Sequence, residues 1–230
     1  MGSEMCIRDR YKAVVFDLDG TLVNSLYDLA SSMNKALAAC GLPVYPADAY
    51  RQFVGNGRTV LVERAVGGER LTPEIKARVI NLFDKDYAAH CMDKTRPYEG
   101  IREMLDALNA AGVKTAVLSN KPDEFVKKII GKLFPGFPFT LAWGKKPQFK
   151  EKPDSGALFA MLDEMGVSSG ECLYVGDSNV DVYTAENAGL PFCGVEWGFR
   201  GKRELIGAGA AATVKTAREL LLFIKEGDEG

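Results

Sequence analysis

Residues 13–21 read AVVFDLDGT, a continuous apolar run followed by two aspartates. The run Ala13–Phe16 is typical of a strand buried on both faces, as in a parallel sheet. Ligand sites in open α/β sheets lie beyond the carboxyl ends of strands, which is where Asp17 and Asp19 stand. Two carboxylates this close are stable together when a cation lies between them or when one is protonated. Gly20 favours a tight turn here, and a surface Asp-Gly turn without function is the alternative interpretation.

Further short apolar runs alternate with helical patterns along the chain. The other predicted strands are Thr115–Leu118, Cys172–Val175 and Phe192–Val195, with weaker ones near Phe139–Trp143 and Ala212–Val214. The predicted helices in the same part of the chain are Ile101–Ala111, Phe125–Leu133, Gly156–Met165 and Val180–Ala188. Strands that alternate with helices predict an α/β fold with a doubly wound, mostly parallel, Rossmann-like sheet.

One segment breaks this alternation, because from about Asn24 to Cys91 helix follows helix with no convincing strand. The predicted helices there are Tyr27–Cys40, Ala47–Phe53, Arg58–Ala65 and Thr72–Cys91. Thr72 followed by Pro73 is the pattern of an N-cap residue and a first-turn proline. We therefore predict an all-helical unit of residues 24–91, inserted into an α/β core of residues 11–23 and 92–230.

A second pair of carboxylates follows the predicted strand that ends at Val175. Asp177 and Asp181 are four residues apart, so Asp181 lies near the first turn of the next helix. Four carboxylates converging from two strand ends would be costly without a hard cation, and ligation by oxygen atoms alone suits Mg²⁺. The alternative is that Asp177 or Ser178 only caps the helix.

Two other loops carry groups that suit a phosphate. Ser119 and Asn120 follow the strand that ends at Leu118, where a hydroxyl and backbone N–H groups can hold a phosphoryl oxygen, although Ser-Asn is also ordinary turn chemistry. Lys152 precedes Pro153, which stiffens the backbone, and a fixed ammonium is what a dianionic phosphate beside carboxylates requires. A solvated basic loop is the alternative for this lysine.

The composition excludes several classes of function. Lys and Arg number 29 against 31 Asp and Glu, for a formal net charge of -2, which is no electrostatic footprint for nucleic acid or an anionic membrane. No apolar run approaches the roughly 20 residues of a membrane helix. The 5 cysteines are scattered without a CxxC pattern, which favours reduced thiols and a cytoplasmic protein.

The first ten residues, MGSEMCIRDR, have no core periodicity and precede the first strand abruptly. They match the translation of a transposase-type sequencing adapter. We therefore expect residues 1–10 to be a non-native tail, and a poorly ordered native terminus is the alternative.

The four motifs, in this order, resemble those of the haloacid dehalogenase superfamily. Asp17–Thr21 matches the first motif of that superfamily, Ser119 the second, Lys152 the third, and Asp177 with Asp181 the fourth. The combination is highly specific, although each motif alone is not. The helical insert is similar to the family's helical cap.

The resemblance extends over essentially the whole chain, from residue 12 to about residue 224. Within the superfamily it points to phosphoglycolate phosphatases, through the sequences VGNG at residues 54–57, RPYEG at 96–100 and WGFR at 197–200. It therefore implies a phosphatase that hydrolyses a small phosphorylated metabolite.

The resemblance also implies roles for individual residues. Asp17 would attack phosphorus and form an aspartyl-phosphate, while Asp19 would protonate the leaving oxygen and then activate water. Lys152 and Ser119 would offset charge on the transferring group. The other residues that it assigns to phosphate binding are Leu18, Gly20, Thr21 and Asn120.

Mg²⁺ is the implied cofactor. The protein ligands would be the Asp17 carboxylate, the Asp19 carbonyl and the Asp177 carboxylate. Asp181 would act one step removed, through water or through Lys152.

The cap would exclude water and select the substrate. Asn56 and Gly57 precede a helix whose N-terminus can receive an anion, and Arg58 adds a cation there. A small substrate with a carboxylate, such as 2-phosphoglycolate, fits that arrangement. Equally, Gly57 can be only a helix entry and Arg58 a solvated side chain.

Three classes of function remain after these observations. The first is a Mg²⁺-dependent phosphatase of small metabolites, and the second is a phosphomutase of the β-phosphoglucomutase type, built from the same motifs and cap class. The third, a non-catalytic binding module, is disfavoured because all four motifs are intact. We expect a small-molecule phosphate ester as the partner, no nucleic acid and no membrane, and a monomer or a homodimer.

Overall fold

The centre of the molecule is a six-stranded sheet. The structure is a computed structural model that describes residues 11–226, so the predicted tail of residues 1–10 lies outside the described residues. The strands of the sheet are β1 (Ala13–Phe16), β4 (Lys114–Pro122), β5 (Leu141–Lys145), β6 (Cys172–Gly176), β7 (Phe192–Val195) and β8 (Ala212–Val214). They lie in the order β5-β4-β1-β6-β7-β8 and every neighbouring pair is parallel. The predicted α/β fold with a parallel sheet is confirmed.

Helices cover both faces of this sheet. They are α5 (Ile101–Ala110), α6 (Asp123–Leu133), α7 (Gly156–Met165), α8 (Asn179–Ala188), α9 (Gly201–Gly207) and α10 (Ala217–Glu226). Alternate side chains of a strand point to opposite faces, so Val14 and Phe16 of β1 pack with α5 and α10. Ala13 and Val15 pack with α7 and α8. Burial on both faces explains why β1 is uniformly apolar.

The segment of residues 25–91 contains helices and no strand, in line with the predicted helical insert. Its helices are α1 (Leu26–Ala39), α2 (Tyr50–Phe53), α3 (Gly57–Val66) and α4 (Pro73–His90). α1 packs along α4, and buried side chains of all four helices form an apolar cluster separate from the sheet. We call residues 24–91 the cap. Thr72 accepts a hydrogen bond from the Ile75 N–H at 3.3 Å, so it is the N-cap of α4, with Pro73 in the first turn.

A short antiparallel ribbon joins the cap to the sheet. It pairs β2 (Val23–Asn24) with β3 (Arg96–Pro97). The sequence did not predict this ribbon, since two-residue strands are too short to show a period-two pattern. The ribbon places both chain crossings between cap and core side by side, next to the loop that follows β1.

The other differences from the predicted elements are local. Residues Ala47–Ala49 form a 3₁₀ turn that is distinct from α2, and β5 begins at Leu141 where the prediction began at Phe139. α9 and α10 were not predicted. α10 buries Leu220 and Ile224.

No helix within residues 11–226 combines the length and apolar character needed to cross a membrane.

Candidate active site

The residues predicted to carry chemistry converge at one edge of the sheet. β1, β4 and β6 are parallel neighbours, so the loops at their carboxyl ends meet there. Carboxylate oxygens of Asp17, Asp177 and Asp181 lie within 4.8 Å of one another, and all three residues are buried. Ser119, in β4, and Lys152, in the loop before α7, complete the cluster and are also buried.

Lys152 lies at the centre of this cluster. Its Nζ lies 2.7 Å from Asp17 Oδ1, 2.7 Å from Asp181 Oδ1 and 3.1 Å from the Tyr174 hydroxyl. Burial by itself would lower the pKa of the ammonium, but the carboxylates of Asp17 and Asp181 raise that pKa well above its usual value. Lys152 is therefore buried and paired with two carboxylates, and the alternative of a solvated basic loop is wrong for this residue.

Asn120 holds the backbone that carries this lysine. Its Oδ1 accepts the Lys152 N–H at 2.8 Å, and its Nδ2 donates to the Lys152 carbonyl at 3.1 Å. The neighbouring Ser119 hydroxyl accepts the Lys121 N–H at 3.2 Å. The Asn120 side chain, which was expected to bind phosphate, is thus engaged in positioning Lys152.

The carboxylates carry more negative charge than the protein offsets. Burial raises the pKa of Asp17 to about 7, although Lys152 opposes that shift. Burial also raises the pKa of Asp177 well above its usual value, and the charges of Asp181 and Asp17 add to the effect. In the part of the chain that the structure describes, Lys152 is the only cation that pairs with any of these three carboxylates. The excess charge suits a divalent cation.

The hydrogen bonds separate the roles of the carboxylates. Asp181 uses both oxygens, since Oδ1 accepts from Lys152 and Oδ2 accepts the Ser178 N–H at 3.1 Å and the Ser178 hydroxyl at 2.7 Å. Asp177 Oδ2 accepts the Phe199 N–H at 2.6 Å. Within residues 11–226, no hydrogen bond reaches Asp177 Oδ1 or Asp17 Oδ2. Asp177 Oδ1 is therefore available to a metal and Asp17 Oδ2 to a metal or a substrate, whereas Asp181 caps α8 and anchors Lys152.

Three glycines allow this close packing. A Cβ atom at Gly20 or Gly198 would overlap with the side chain of Asp177, and one at Gly176 would overlap with Asp181. Gly20 also has φ = +95°, which side-chain-bearing residues rarely adopt. The loops can therefore bring the carboxylates together only with glycine at these positions.

The remaining residues of the first motif support the loop after β1. The Leu18 side chain is buried in the core, and the Leu18 carbonyl accepts the N–H groups of Leu22 and Val23, both at 3.0 Å. The Thr21 carbonyl accepts the indole N–H of Trp197 at 3.0 Å. The Thr21 hydroxyl is buried without a hydrogen-bond partner among the described residues.

Asp19 is held by two residues that the sequence analysis did not assign to the site. Ser25, at the start of the cap, donates to Asp19 Oδ1, and Lys121 Nζ lies 3.1 Å from Asp19 Oδ2. Lys121 also donates to the hydroxyl of Tyr87, on cap helix α4, at 2.8 Å. Lys121 could have been predicted as a site residue, because it directly follows Ser119 and Asn120 in the sequence. Tyr87 could not be found this way, since only packing brings α4 to the sheet edge.

A cavity of about 550 Å³, including its open mouth, lies between this cluster and the cap. Its polar end is lined by Asp17, Asp19, Ser119, Asn120 and Lys121. Its apolar lining comes mainly from Leu29, Val54, Leu61, Phe83 and Phe125. The shape suits a small anionic ligand whose charged end faces the sheet.

The cap residues singled out from the sequence have different surroundings. Gly57 and Arg58 line the cavity, but Asn56 does not. The Oδ1 of Asn56 accepts a hydrogen bond from Arg64 at 2.9 Å. Arg58 is not merely solvated, since its guanidinium pairs with Asp84 of α4. Gly57 begins α3 and lies close to the carboxylate of Glu151.

Comparisons with known proteins identify the family of the chain. The model of a family described as haloacid dehalogenase-like hydrolase matches residues 14–195, and the chain belongs to this family. The chain is 34% identical over 214 residues to a phosphoglycolate phosphatase of Pseudomonas savastanoi pv. phaseolicola, covering 91% of this chain and 78% of that protein. It is 34% identical over 193 residues to a phosphoglycolate phosphatase of Vibrio parahaemolyticus, covering 82% of this chain and 85% of that protein.

A solved structure extends the similarity to three dimensions. The protein, from Lactobacillus delbrueckii subsp. bulgaricus, is itself only provisionally assigned as a phosphoglycolate phosphatase. It superposes with a TM-score of 0.89 and 35% identity, covering 94% of this chain and 98% of that one. The chain is therefore a phosphatase of the haloacid dehalogenase-like hydrolase family, similar to phosphoglycolate phosphatases, and its substrate is a phosphate ester.

Proposed function

We propose that this phosphatase hydrolyses 2-phosphoglycolate with Mg²⁺ through an aspartyl-phosphate formed on Asp17. The observation that carries the proposal is the buried Lys152, which lies between the carboxylates of Asp17 and Asp181, with Asp17 itself lining a small cavity. The names of the relatives support the choice of substrate. The proposed metal and intermediate are the family's chemistry, and the arrangement of the donor groups is compatible with both.

Asp17 is the proposed nucleophile. Lys152 binds Asp17 Oδ1 at 2.7 Å, so Oδ2 is the oxygen that would attack phosphorus as the bond to the leaving oxygen breaks. The ammonium opposes the effect of burial on the pKa of Asp17 and so favours the ionised, nucleophilic form. In the second half of the reaction, water attacks phosphorus and releases Asp17 and inorganic phosphate.

Asp19 is the proposed proton donor and acceptor. Its carboxyl group would protonate the leaving oxygen, and the resulting carboxylate would then take a proton from the attacking water. Ser25 and Lys121 each hold one of its oxygens. These contacts orient the carboxyl group toward one geometry before the ester arrives.

The donor set fits Mg²⁺, because the groups are all oxygens and the carboxylate charge exceeds the nearby positive charge. The Asp17 and Asp177 carboxylates and the Asp19 carbonyl would hold the ion, and Asp181 would act through Lys152. When bound, Mg²⁺ would offset the charge of the transferring phosphoryl group.

Release of inorganic phosphate from a panel of phosphorylated metabolites tests the substrate. Phosphoglycolate should have the highest kcat/KM, ahead of pyrophosphate, nucleotides and sugar phosphates. Chromatography of the products from sugar phosphates tests the mutase alternative, since a mutase would return an isomer and little free phosphate. A different preferred ester would overturn the proposed substrate, and an isomerised product would overturn the hydrolytic assignment.

Arg58 is the proposed contact for the substrate carboxylate, because it lines the cavity and carries a positive charge. Arg58→Ala should lower kcat/KM for phosphoglycolate about 10- to 100-fold, the effect of losing one charge-assisted hydrogen bond. The loss for p-nitrophenyl phosphate, which has no carboxylate, should be much smaller. Steady-state kinetics on both substrates measures the difference.

Arg58 also pairs with Asp84, so its loss could lower activity through Asp84. A second variant separates the two effects. Burial raises the pKa of Asp84 while Arg58 opposes the rise, so removing Arg58 leaves a carboxyl group without its cation. The control is therefore Arg58→Ala in an Asp84→Asn background. If the double variant recovers phosphoglycolate activity, repulsion by Asp84 caused the loss and Arg58 does not bind the carboxylate.

A further inference from the structure

The loop Trp197–Arg200, which follows β7, carries none of the groups that react in the mechanism proposed above. Trp197 donates to the Thr21 carbonyl at 3.0 Å, and the Phe199 N–H donates to Asp177 Oδ2 at 2.6 Å. Trp197 thus attaches the loop to the first motif, and Phe199 attaches it to the catalytic cluster. Arg200 instead reaches across to the cap.

Arg200 binds the cap through several hydrogen bonds. Its Nη2 donates to the Val54 carbonyl at 2.8 Å and to the Gln52 carbonyl at 3.3 Å, and its Nη1 donates to Gln52 Oε1 at 2.6 Å. The side chain of Arg200 is only 7% exposed. On the core side, Oε2 of Glu204, in α9, lies 3.5 Å from Arg200 Nη1. A buried guanidinium is costly without partners, and most of the acceptors of Arg200 belong to the cap.

The same cap segment meets the core at two other points. Arg51 Nη1 donates to the Gly198 carbonyl at 3.1 Å, and Asn120 Nδ2 donates to the Gly55 carbonyl at 3.3 Å. Val54, Gly55, Gly57 and Arg58 of the same segment line the cavity. Arg200 is the member of this set with the most hydrogen bonds to the cap.

We propose that Arg200 is a positioning residue that seats cap residues 51–58 over the phosphate site and so gives the enzyme its preference for small substrates. With the segment seated, the cavity is closed over a small ester, and binding to cap residues contributes to the reaction. Without Arg200, the segment would lose the largest group of its hydrogen bonds to the core. The inference rests on the phosphatase activity, and its selectivity readout uses the substrate proposed above.

Arg200→Gln is the test, with Arg203→Gln as the matched control. Arg203 is exposed on α9 and lies three residues after Arg200. Arg200→Gln should lower kcat/KM for phosphoglycolate about 10- to 100-fold, as expected for lost hydrogen bonds to a charged donor. The loss for p-nitrophenyl phosphate should be at least about tenfold smaller, since a bulky ester gains less from the seated cap. Arg203→Gln should change neither value.

The Mg²⁺ requirement separates seating of the cap from simple support of the loop. If Arg200 seats the cap, the Mg²⁺ concentration for half-maximal activity stays at the parent value in Arg200→Gln, because Phe199 still holds Asp177. An equal loss on both substrates with a raised Mg²⁺ requirement would overturn the proposal, since Arg200 would then only stabilise the Asp177 loop. Unchanged kinetics on both substrates would overturn it as well.

Failure of the proposed role of Arg200 can be distinguished from failure of the proposed substrate. If the parent enzyme prefers another small ester over phosphoglycolate, the substrate proposal fails and that ester replaces phosphoglycolate in the same comparison. Hydrogen exchange of residues 50–60 provides a readout that needs no substrate. Exchange should be faster in Arg200→Gln than in the parent and in Arg203→Gln. Equal exchange in all three proteins would contradict the proposal that Arg200 seats cap residues 51–58.

Discussion

Asp17→Asn should lower phosphate release by at least about 10⁴-fold while the protein stays folded, an effect of the size seen when a catalytic nucleophile is removed. An amide oxygen cannot act as the nucleophile toward phosphorus, but the side chain has nearly the same shape. Lys152 keeps its ion pair with Asp181 at 2.7 Å. The substitution also removes one of three clustered carboxylates, so the melting temperature should be at or above that of the parent. Steady-state release of inorganic phosphate and thermal unfolding together measure both effects.

The same variant tests the covalent step directly. Acid-quenched parent enzyme should show a phosphorylated peptide that contains Asp17 by mass spectrometry, and the variant should show none. The control is Asp163→Asn, an exposed residue near the C-terminal end of α7, which should retain parent activity and the phosphopeptide. Phosphate release at the parent rate from Asp17→Asn would rule out Asp17 as the nucleophile.

Removal of the metal should have an effect of comparable size. EDTA should stop turnover of the parent, and added Mg²⁺ should restore it. Asp177→Asn should raise the Mg²⁺ concentration for half-maximal activity by more than about 100-fold, beyond the range reported for residues that only orient a metal ligand. Its Oδ1 is the oxygen that the protein leaves without a hydrogen bond in residues 11–226, and an amide there is a weaker ligand than a carboxylate.

Asp181→Asn is the matched comparison for Asp177→Asn. Asp181 uses both oxygens on Lys152 and Ser178, so its replacement should raise the Mg²⁺ requirement less, by about 10- to 100-fold. Calorimetric titration of Mg²⁺ measures binding independently of turnover. Equal and parental Mg²⁺ affinity in both variants would show that the cluster is structural, and a larger effect at Asp181 would reverse the proposed ligand assignment.

The fold was largely predictable, because its elements are strongly patterned. The run Ala13–Phe16 is apolar throughout since the two faces of β1 pack against different helices. Glycines follow several of the helices, so their ends were within a residue or two of the prediction. The β2–β3 ribbon, α9 and α10 were missed. The ribbon and α9 are short elements that depend on neighbouring segments, and such elements leave little pattern in the chain.

The polar end of the candidate site was predictable for a related reason. Asp17, Ser119 and Asp177 occur at or just beyond the ends of apolar strands, and parallel pairing brings these ends to one edge of the sheet. Lys121 and Tyr87 were not predicted. Their roles depend on a contact of 2.8 Å between residues 34 positions apart, in the core and the cap.

The amino-acid sequence alone was sufficient for the α/β class, the helical insert and the set of groups that carry charge to the carboxyl edge of the sheet. Those features follow from local periodicity and from motif spacing. The tertiary structure decided the rest. It determined which carboxylate oxygens accept hydrogen bonds, which acid pairs with each cation and which loop contacts the cap. Asn120 holds Lys152, Arg58 meets Asp84 and Arg200 reaches Val54. Hydrogen bonds and ion pairs act over about 3 Å, and only packing brings residues from distant parts of the chain within that distance.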